Sequence, residues 1–403
     1  MSDLPRRSWV TSANAPDCDF PIRNLPYGVF STGAEAPRCG VAIGDMILDL
    51  AACEDRRIVD AGGTFRSPAL NDFMARGRGA WDAMRARLTA LLAEDGDRTL
   101  PLVPMAGAVL HLPIRVTEFT DFYASRHHAF NVGCLFRGPD NALPAQWTHM
   151  PIGYNGRASS VVVSGTPIRR PMGQVRGEDG PEWTACRKLD LELELGAIIG
   201  ADSRMGQRLS VDEAEAMIFG YVLLNDWSAR DIQAWEYQPL GPFQSKAFAT
   251  TISPWIVTQA ALEPFRCAGA ERTNPLLPYL RESRPGLYDL TIGWTMNGQR
   301  MAQTNYDVMY YSSAQQLAHH AVSGCPMRVG DLLGSGTISG AARDQAGALL
   351  EMTQGGRDPV TVNGASRTFV EDGHEIGLFA HATGDGYRIG FGPCTGLILP
   401  AEP

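Results

Sequence analysis

A mostly β protein with short helices, an α+β chain of two units, is the fold class this sequence predicts. Two observations carry that expectation. The 43 glycines and 27 prolines among 403 residues fall between short runs of β-forming residues, the punctuation of many strands joined by tight turns. Helical periodicity is confined to a few brief stretches. The chain is also too long for one ordinary core, so more than one unit is expected.

Taken in order, residues 27–30, 41–43 and 46–50 read as strands, the last two joined by Gly44-Asp45, a two-residue hairpin signal. A helix is expected from about 80 to 92, where Trp81, Met84, Leu88, Leu91 and Leu92 recur near helical spacing. The run 91–104 reads as a connector, which divides a small unit, 1–113, from a large strand-rich one, 114–403. In the large unit 159–163, 189–199, 219–227, 287–296, 349–353, 367–370 and 375–379 are expected strands, closing into a barrel or roll. Ser210 and Glu213 form a capping box that opens a short helix, and 315–322 is another helical piece. Residues 384–390 read as a turn, and His319-His320 as packing or surface, since neighbours on a helix point apart.

Composition excludes several functions. With 35 basic and 44 acidic residues the net charge is −9, which argues against a nucleic-acid partner. No apolar run approaches the ~20 residues of a membrane span, so no membrane partner is expected. The opening residues lack the apolar core of a secretory signal, and the eight scattered cysteines form no CxxC; both fit a cytoplasmic protein with reduced thiols. P-loop, HExxH and GxSxG motifs are missing.

Three segments carry candidate chemistry. In Leu189-Asp-Leu-Glu-Leu-Glu-Leu195, alternation puts the leucines on one strand face and Asp190, Glu192 and Glu194 on the other. A solvated strand face is the plain reading. The lack of an interleaved lysine or arginine and the apolar GAIIG that follows favour carboxylates that neutralise a hard cation or raise their pKa values. Residues 219–228 look like a strand delivering Asp226 at its end, with Ser228 capping a helix that carries Arg230, Gln233 and Tyr237 on one face, a set suited to an oxygen-rich anion. Residues 120–129 place Asp121 and Tyr123 on one strand face. Ser125 is then a candidate cap, putting His128 in a first helical turn that favours a neutral imidazole.

Read together, TDFYASRHHAFNVG, PIGYNGRASSVVVSGTPIRRPMGQ, LDLELELG, NDWSARDIQAWEYQPLGPFQSKAFATTISPW, GDLLGSGTISG and GDGYRIGFG resemble the fumarylacetoacetate hydrolase family over about 117–394. Residues 1–113 resemble its small N-terminal domain more loosely, through PYGVF and GVAIGDMILDL. The resemblance implies an SH3-like N-terminal barrel, a β-roll domain and a homodimer. It also implies metal-dependent hydrolysis of the carbon–carbon bond of 4-fumarylacetoacetate to fumarate and acetoacetate. The family's metal pattern falls on Asp121, Glu192, Glu194 and Asp226, for Ca²⁺, Mg²⁺ or Mn²⁺. A possible second Mg²⁺ lies near Asp226 with Lys246 and Thr250. The implied base is His128 with Glu351 as its partner; Arg230, Gln233 and Lys246 stabilise the oxyanion, and Tyr123, Arg137, Tyr154, Gln233, Tyr237 and Thr337 contact the diketo acid. Relatives acting as acylpyruvate hydrolase, 2-keto acid decarboxylase or hydratase are the alternative, and a cation-stapled structural protein a more distant one.

Overall fold

A computed structural model describes residues 7–272 and 274–402. Its first sheet is antiparallel and takes five strands in the order Leu102–Pro104, Met46–Asp49, Arg38–Ile43, Tyr27–Ser31 and Val109–His111. Ile43 pairs with Met46 across a two-residue turn, where Gly44 adopts a φ of 59° that a side chain would resist. The third strand stops at Asp49 rather than running to residue 50. The Asp49 carboxylate accepts the Ala52 N–H, and this cap starts the helix Leu50–Asp55. The expected connector 91–104 is also not a plain linker. The helix Arg78–Leu92 runs into it, and its last residues pair with Met46–Asp49 as a strand.

The large sheet runs Gly153–Asn155, Phe119–Phe122, Leu332–Gly334, Leu193–Ile199, Ile218–Asp226, Thr250–Ile252 and Val161–Val163, with Val257–Thr258 added to Ile218–Asp226. Both faces of its central strands are buried. Leu193, Leu195, Ala197 and Ile199 pack into one core with Leu223 and Trp227. Ile198, Val222, Leu224, Ile252 and Leu332 pack against Tyr27, Val29, Val41 and Leu88 of the first sheet and its helix. This explains why no wet strand face exists here. A sheet covered on both sides gives its side chains no solvated face, and Asp121, Glu194 and Asp226 on its strands are buried. A six-stranded sheet containing Thr291–Met296, Glu375–Gly384 and Cys394–Leu399 and four two-stranded sheets complete the strand framework of the described residues. Among the described residues no helix is long and apolar enough to cross a membrane.

Several expected strands are redrawn. Residues 189–199 are not one strand: Leu189–Asp190 pairs with Ser228–Ala229, and Leu193–Ile199 then pairs with Ile218–Asp226. Residues 349–353 are a helical turn, Leu349–Met352, instead of a strand. The Asp190 carboxylate accepts the N–H groups of Leu349 (2.8 Å) and Leu350 (3.0 Å), satisfying donors that a helix start leaves open. Only Val161–Val163 of 159–163 is strand, after a 3₁₀ turn, and 287–296 breaks into Leu287–Tyr288 and Thr291–Met296. Around 367–370 the strand is Ala365–Arg367, with Val370 making a single bridge to Leu189. The capping box at Ser210 and the helix Ser313–Ala321 form as expected, whereas of 384–390 only Asp385-Gly386 is a turn, because Tyr387–Gly390 pairs back on Glu375–Gly384 as a strand. His319 and His320 bond to Tyr279 and Thr120 as packing residues.

Candidate active site

Two strand ends and the kink at 191–192 deliver the acidic residues to one place. Asp121 lies near the end of Phe119–Phe122, and Asp226 ends Ile218–Asp226. Glu194 is the second residue of Leu193–Ile199, and Glu192 sits in the break before it. Asp121, Glu192, Glu194 and Asp226 each offer a carboxylate oxygen within 4.8 Å of the others, and all four are buried. Gly334 pairs with Asp121 on one side and with Gly196 on the other. A Cβ at Gly334 would stand 2.6 Å from Asp121 Oδ1 and 2.9 Å from Glu194 Oε2, so only glycine lets the two carboxylates approach. Gly334→Ala is therefore expected to push these groups apart, costing about 1–3 kcal/mol as an overpacked site and abolishing any rise in melting temperature on adding Mg²⁺ or Ca²⁺. An unchanged cation-induced rise would show that this approach does not matter.

Charge decides what the cluster needs. With Asp190, five buried carboxylates face two buried cations, Arg230 and Lys246. Arg230 reaches Asp190 through Nε (2.9 Å) and Glu192 through Nη1 (2.7 Å). Lys246 Nζ donates to Glu192 and to Asp226 Oδ2 (2.6 Å for the latter). Asp226 also accepts from Tyr154 Oη (2.8 Å) and Thr250 Oγ1 (2.9 Å). Burial would raise Glu192, but the Lys246 ammonium and Arg230 guanidinium outweigh it and hold it low. Burial would likewise strip the proton from Lys246, yet Asp226 and Glu192 keep it charged. Asp121 and Glu194 have no such partners. Burial first, and then neighbouring carboxylates (Asp226 for Asp121, Asp121 for Glu194), push both far above the usual range. Asp121 Oδ1 and Glu194 Oε1 are buried with no hydrogen-bond partner among the described residues. Orphaned, crowded carboxylate oxygens of this kind fit a hard divalent cation.

The basic group stands beside them. The helix Arg126–Arg137 starts after Ser125, but that hydroxyl does not cap it; Ser125 Oγ bonds to the Ser339 carbonyl instead. His128 is the third residue of this helix and is buried, with Nδ1 2.6 Å from Glu351 Oε1. Burial would raise Glu351, but His128 and then hydrogen bonds from Asn131 and Ser339 keep it ionised. An ionised carboxylate only accepts, so Nδ1 carries the proton and a neutral ring keeps its lone pair on Nε2. His127 is only half-buried and does not line the cavity.

One cavity of about 450 Å³ gathers most of the expected residues: Asp121, Tyr123, His128, Arg137, Tyr154, Glu192, Arg230, Gln233, Tyr237, Lys246 and Thr337 all line it. Glu194 and Thr250 stand behind that lining, against Gly336 N (2.9 Å) and Asp226 respectively. Gln233 Oε1 accepts from Arg230 Nη1 at 3.1 Å, so the shared helix face does form. The expected cap does not. Ser228 lies in a two-residue strand and its Oγ donates to the Asp226 carbonyl, while the helix Arg230–Glu236 has no side-chain cap. Asp190 is no cation ligand either: its oxygens are taken by Arg230 and by the N–H groups of Leu191, Leu349 and Leu350. Arg230 Nη2 and Thr337 Oγ1 are buried with no hydrogen-bond partner among the described residues, two donors lacking an acceptor at the cavity wall. Asn131, Ser339 and Gly334 were missed from sequence; Asn131, three residues after His128 on one helix, was the one with a signal, its spacing.

Comparison with known proteins gives the family of the chain. Residues 117–395 match the family described as fumarylacetoacetate (FAA) hydrolase C-terminal, and 23–113 match fumarylacetoacetase N-terminal. The fumarylacetoacetase of Bos taurus is 48% identical over 409 residues, covering 96% of this chain and 98% of its own length. That of Homo sapiens is 47% identical over the same coverage. The solved fumarylacetoacetate hydrolase of Exiguobacterium antarcticum superposes with a TM-score of 0.58 at 17% identity, covering 94% of this chain and all of that one. The chain belongs to the fumarylacetoacetate hydrolase family.

Proposed function

We propose that this chain is a metal-dependent hydrolase that cleaves the carbon–carbon bond of 4-fumarylacetoacetate to fumarate and acetoacetate, a step of tyrosine and homogentisate breakdown. The carrying observation is that orphaned carboxylate oxygens, orphaned donors and an oriented imidazole surround one cavity. Such a cavity is complementary to an oxygen-rich dianion, with water delivered by a base. Near-full-length relatives named fumarylacetoacetase supply the substrate.

In this reading His128 Nε2 takes a proton from water as the oxygen attacks the carbonyl, and the imidazolium then holds the proton the departing carbon must receive. Glu351 keeps the ring in that tautomer. Arg230, Gln233 and Lys246 meet the developing oxyanion, where loss of one donor typically costs ~10²–10³ in turnover. Arg137, Tyr123, Tyr154, Tyr237 and Thr337 hold the carboxylate-bearing ends, so that attack occurs within a fixed complex. Asp121, Glu192, Glu194 and Asp226 would hold one divalent cation, Ca²⁺, Mg²⁺ or Mn²⁺, which supplies Lewis acidity at the reacting oxygens. A second Mg²⁺ beside Asp226 would use Thr250 rather than the Lys246 amine, which stays protonated and has no lone pair to give.

The proposal extends to the division at residue 113, to a homodimer and to the cytoplasm, where eight unpaired cysteines are stable. The decisive experiment follows the ultraviolet absorbance of fumarylacetoacetate with purified protein, with and without chelator. Decay that stops with chelator and resumes with Mg²⁺ or Ca²⁺ is expected; no decay with cation present would overturn the reading.

A further inference from the structure

We propose that Asn131 is a positioning residue that acts with Ser339 to brace Glu351, and through it the imidazole of His128. This rests on the reading of His128 as the base. A carboxylate held through one oxygen swivels about its Cγ–Cδ bond, and an imidazole bonded to it swivels too. In Glu351 the two oxygens are held separately. Oε1 accepts from His128 Nδ1 (2.6 Å) and from Ser339 Oγ (2.7 Å). Oε2 accepts from Asn131 Nδ2 (2.9 Å). Ser339 Oγ itself accepts the Gly347 N–H at 2.9 Å, which fixes the hydroxyl so that its one proton points to Glu351.

Asn131 and His128 lie three residues apart on the helix Arg126–Arg137, so a single rigid element presents both the ring and the brace to one carboxylate. Their relative placement is therefore set by helix geometry and not by a loop. Asn131 does not line the cavity. Its route to the reaction runs through Glu351 alone. Partners of this outer kind, holding a histidine's carboxylate, commonly carry a tenfold to hundredfold effect although they touch nothing that reacts.

The test is a double-mutant cycle. Asn131→Ala should lower kcat about 10- to 100-fold with KM and the cation-induced rise in melting temperature unchanged. In a Glu351→Gln background the same substitution should change kcat by no more than about twofold, since residues acting as one unit do not add. An unchanged kcat in the first background, or an equal fall in both, overturns the proposal. If Asn131→Ala melts below the assay temperature, Asn131→Ser, too short to span to Glu351, takes its place. A substrate-free readout separates this from the functional reading. In ¹⁵N-histidine-labelled protein the His128 Nδ1–H proton, assigned by its loss in His128→Ala, should shift or broaden in Asn131→Ala; an unmoved resonance overturns the brace. Failure of the unaltered protein to hydrolyse fumarylacetoacetate would instead overturn the reading of the activity, and the resonance would still report on Asn131.

Discussion

Replacing His128 with alanine is expected to lower turnover about 10²–10⁴-fold, the range carried by a positioned general base. The variant should still fold and still gain melting temperature on adding a divalent cation, because His128 is not one of the four clustered carboxylates. Some stability is lost, since Glu351 is buried and surrenders one of its three partners. Leaving a buried acceptor short in this way costs about 1–3 kcal/mol. His127→Ala is the control. That ring is half-buried and outside the cavity, so its loss should leave turnover within about threefold of the unaltered protein, as for substitutions away from a functional feature. Comparing kcat for the two variants settles which imidazole takes the proton; a larger loss at His127 would reverse the assignment.

Glu194→Gln is expected to cost about 4 kcal/mol of cation-dependent stabilisation, on the order of 10³ in turnover. The expected signature has two halves. With cation present, activity and the cation-induced rise in melting temperature are lost together. With chelator present, the variant should melt at or above the unaltered protein. Burial and the charges of Asp121, Asp226 and Glu192 make an ionised Glu194 unfavourable without a counter-ion, and a neutral amide of the same shape removes that conflict. A merely structural Glu194 would lower the melting temperature under both conditions. The sign of the pH dependence follows from the same raised groups. Without cation Asp121 and Glu194 hold protons well above the normal carboxylate range, so binding must displace them and cation affinity should rise with pH. Isothermal titration in buffers of different ionisation enthalpy measures the protons released; zero release would contradict protonation of this pair.

The chain's chemistry was written locally to a large extent. The two-residue Gly44-Asp45 turn and the Ser210 capping box each depend on neighbours a few residues away, and both survive into the fold. Other features depended on partners far along the chain. Residues 349–353 look strand-like by composition, yet they turn into a helix because the Asp190 carboxylate, about 160 residues earlier, meets two of their N–H groups. The same carboxylate looked like a cation ligand until Arg230 and those amides took its oxygens. Alternation says which side of a strand a carboxylate leaves from; it says nothing about what covers that side. Here both faces of the central sheet are packed, and burial changes a solvated acidic stripe into a set of groups that must find counter-charges. Sequence by itself determined the residue types and their periodic faces. Tertiary structure alone decided which acids are neutralised by Lys246 and Arg230 and which two lack a cationic partner, because desolvation and Coulomb attraction depend on distances through space rather than along the chain.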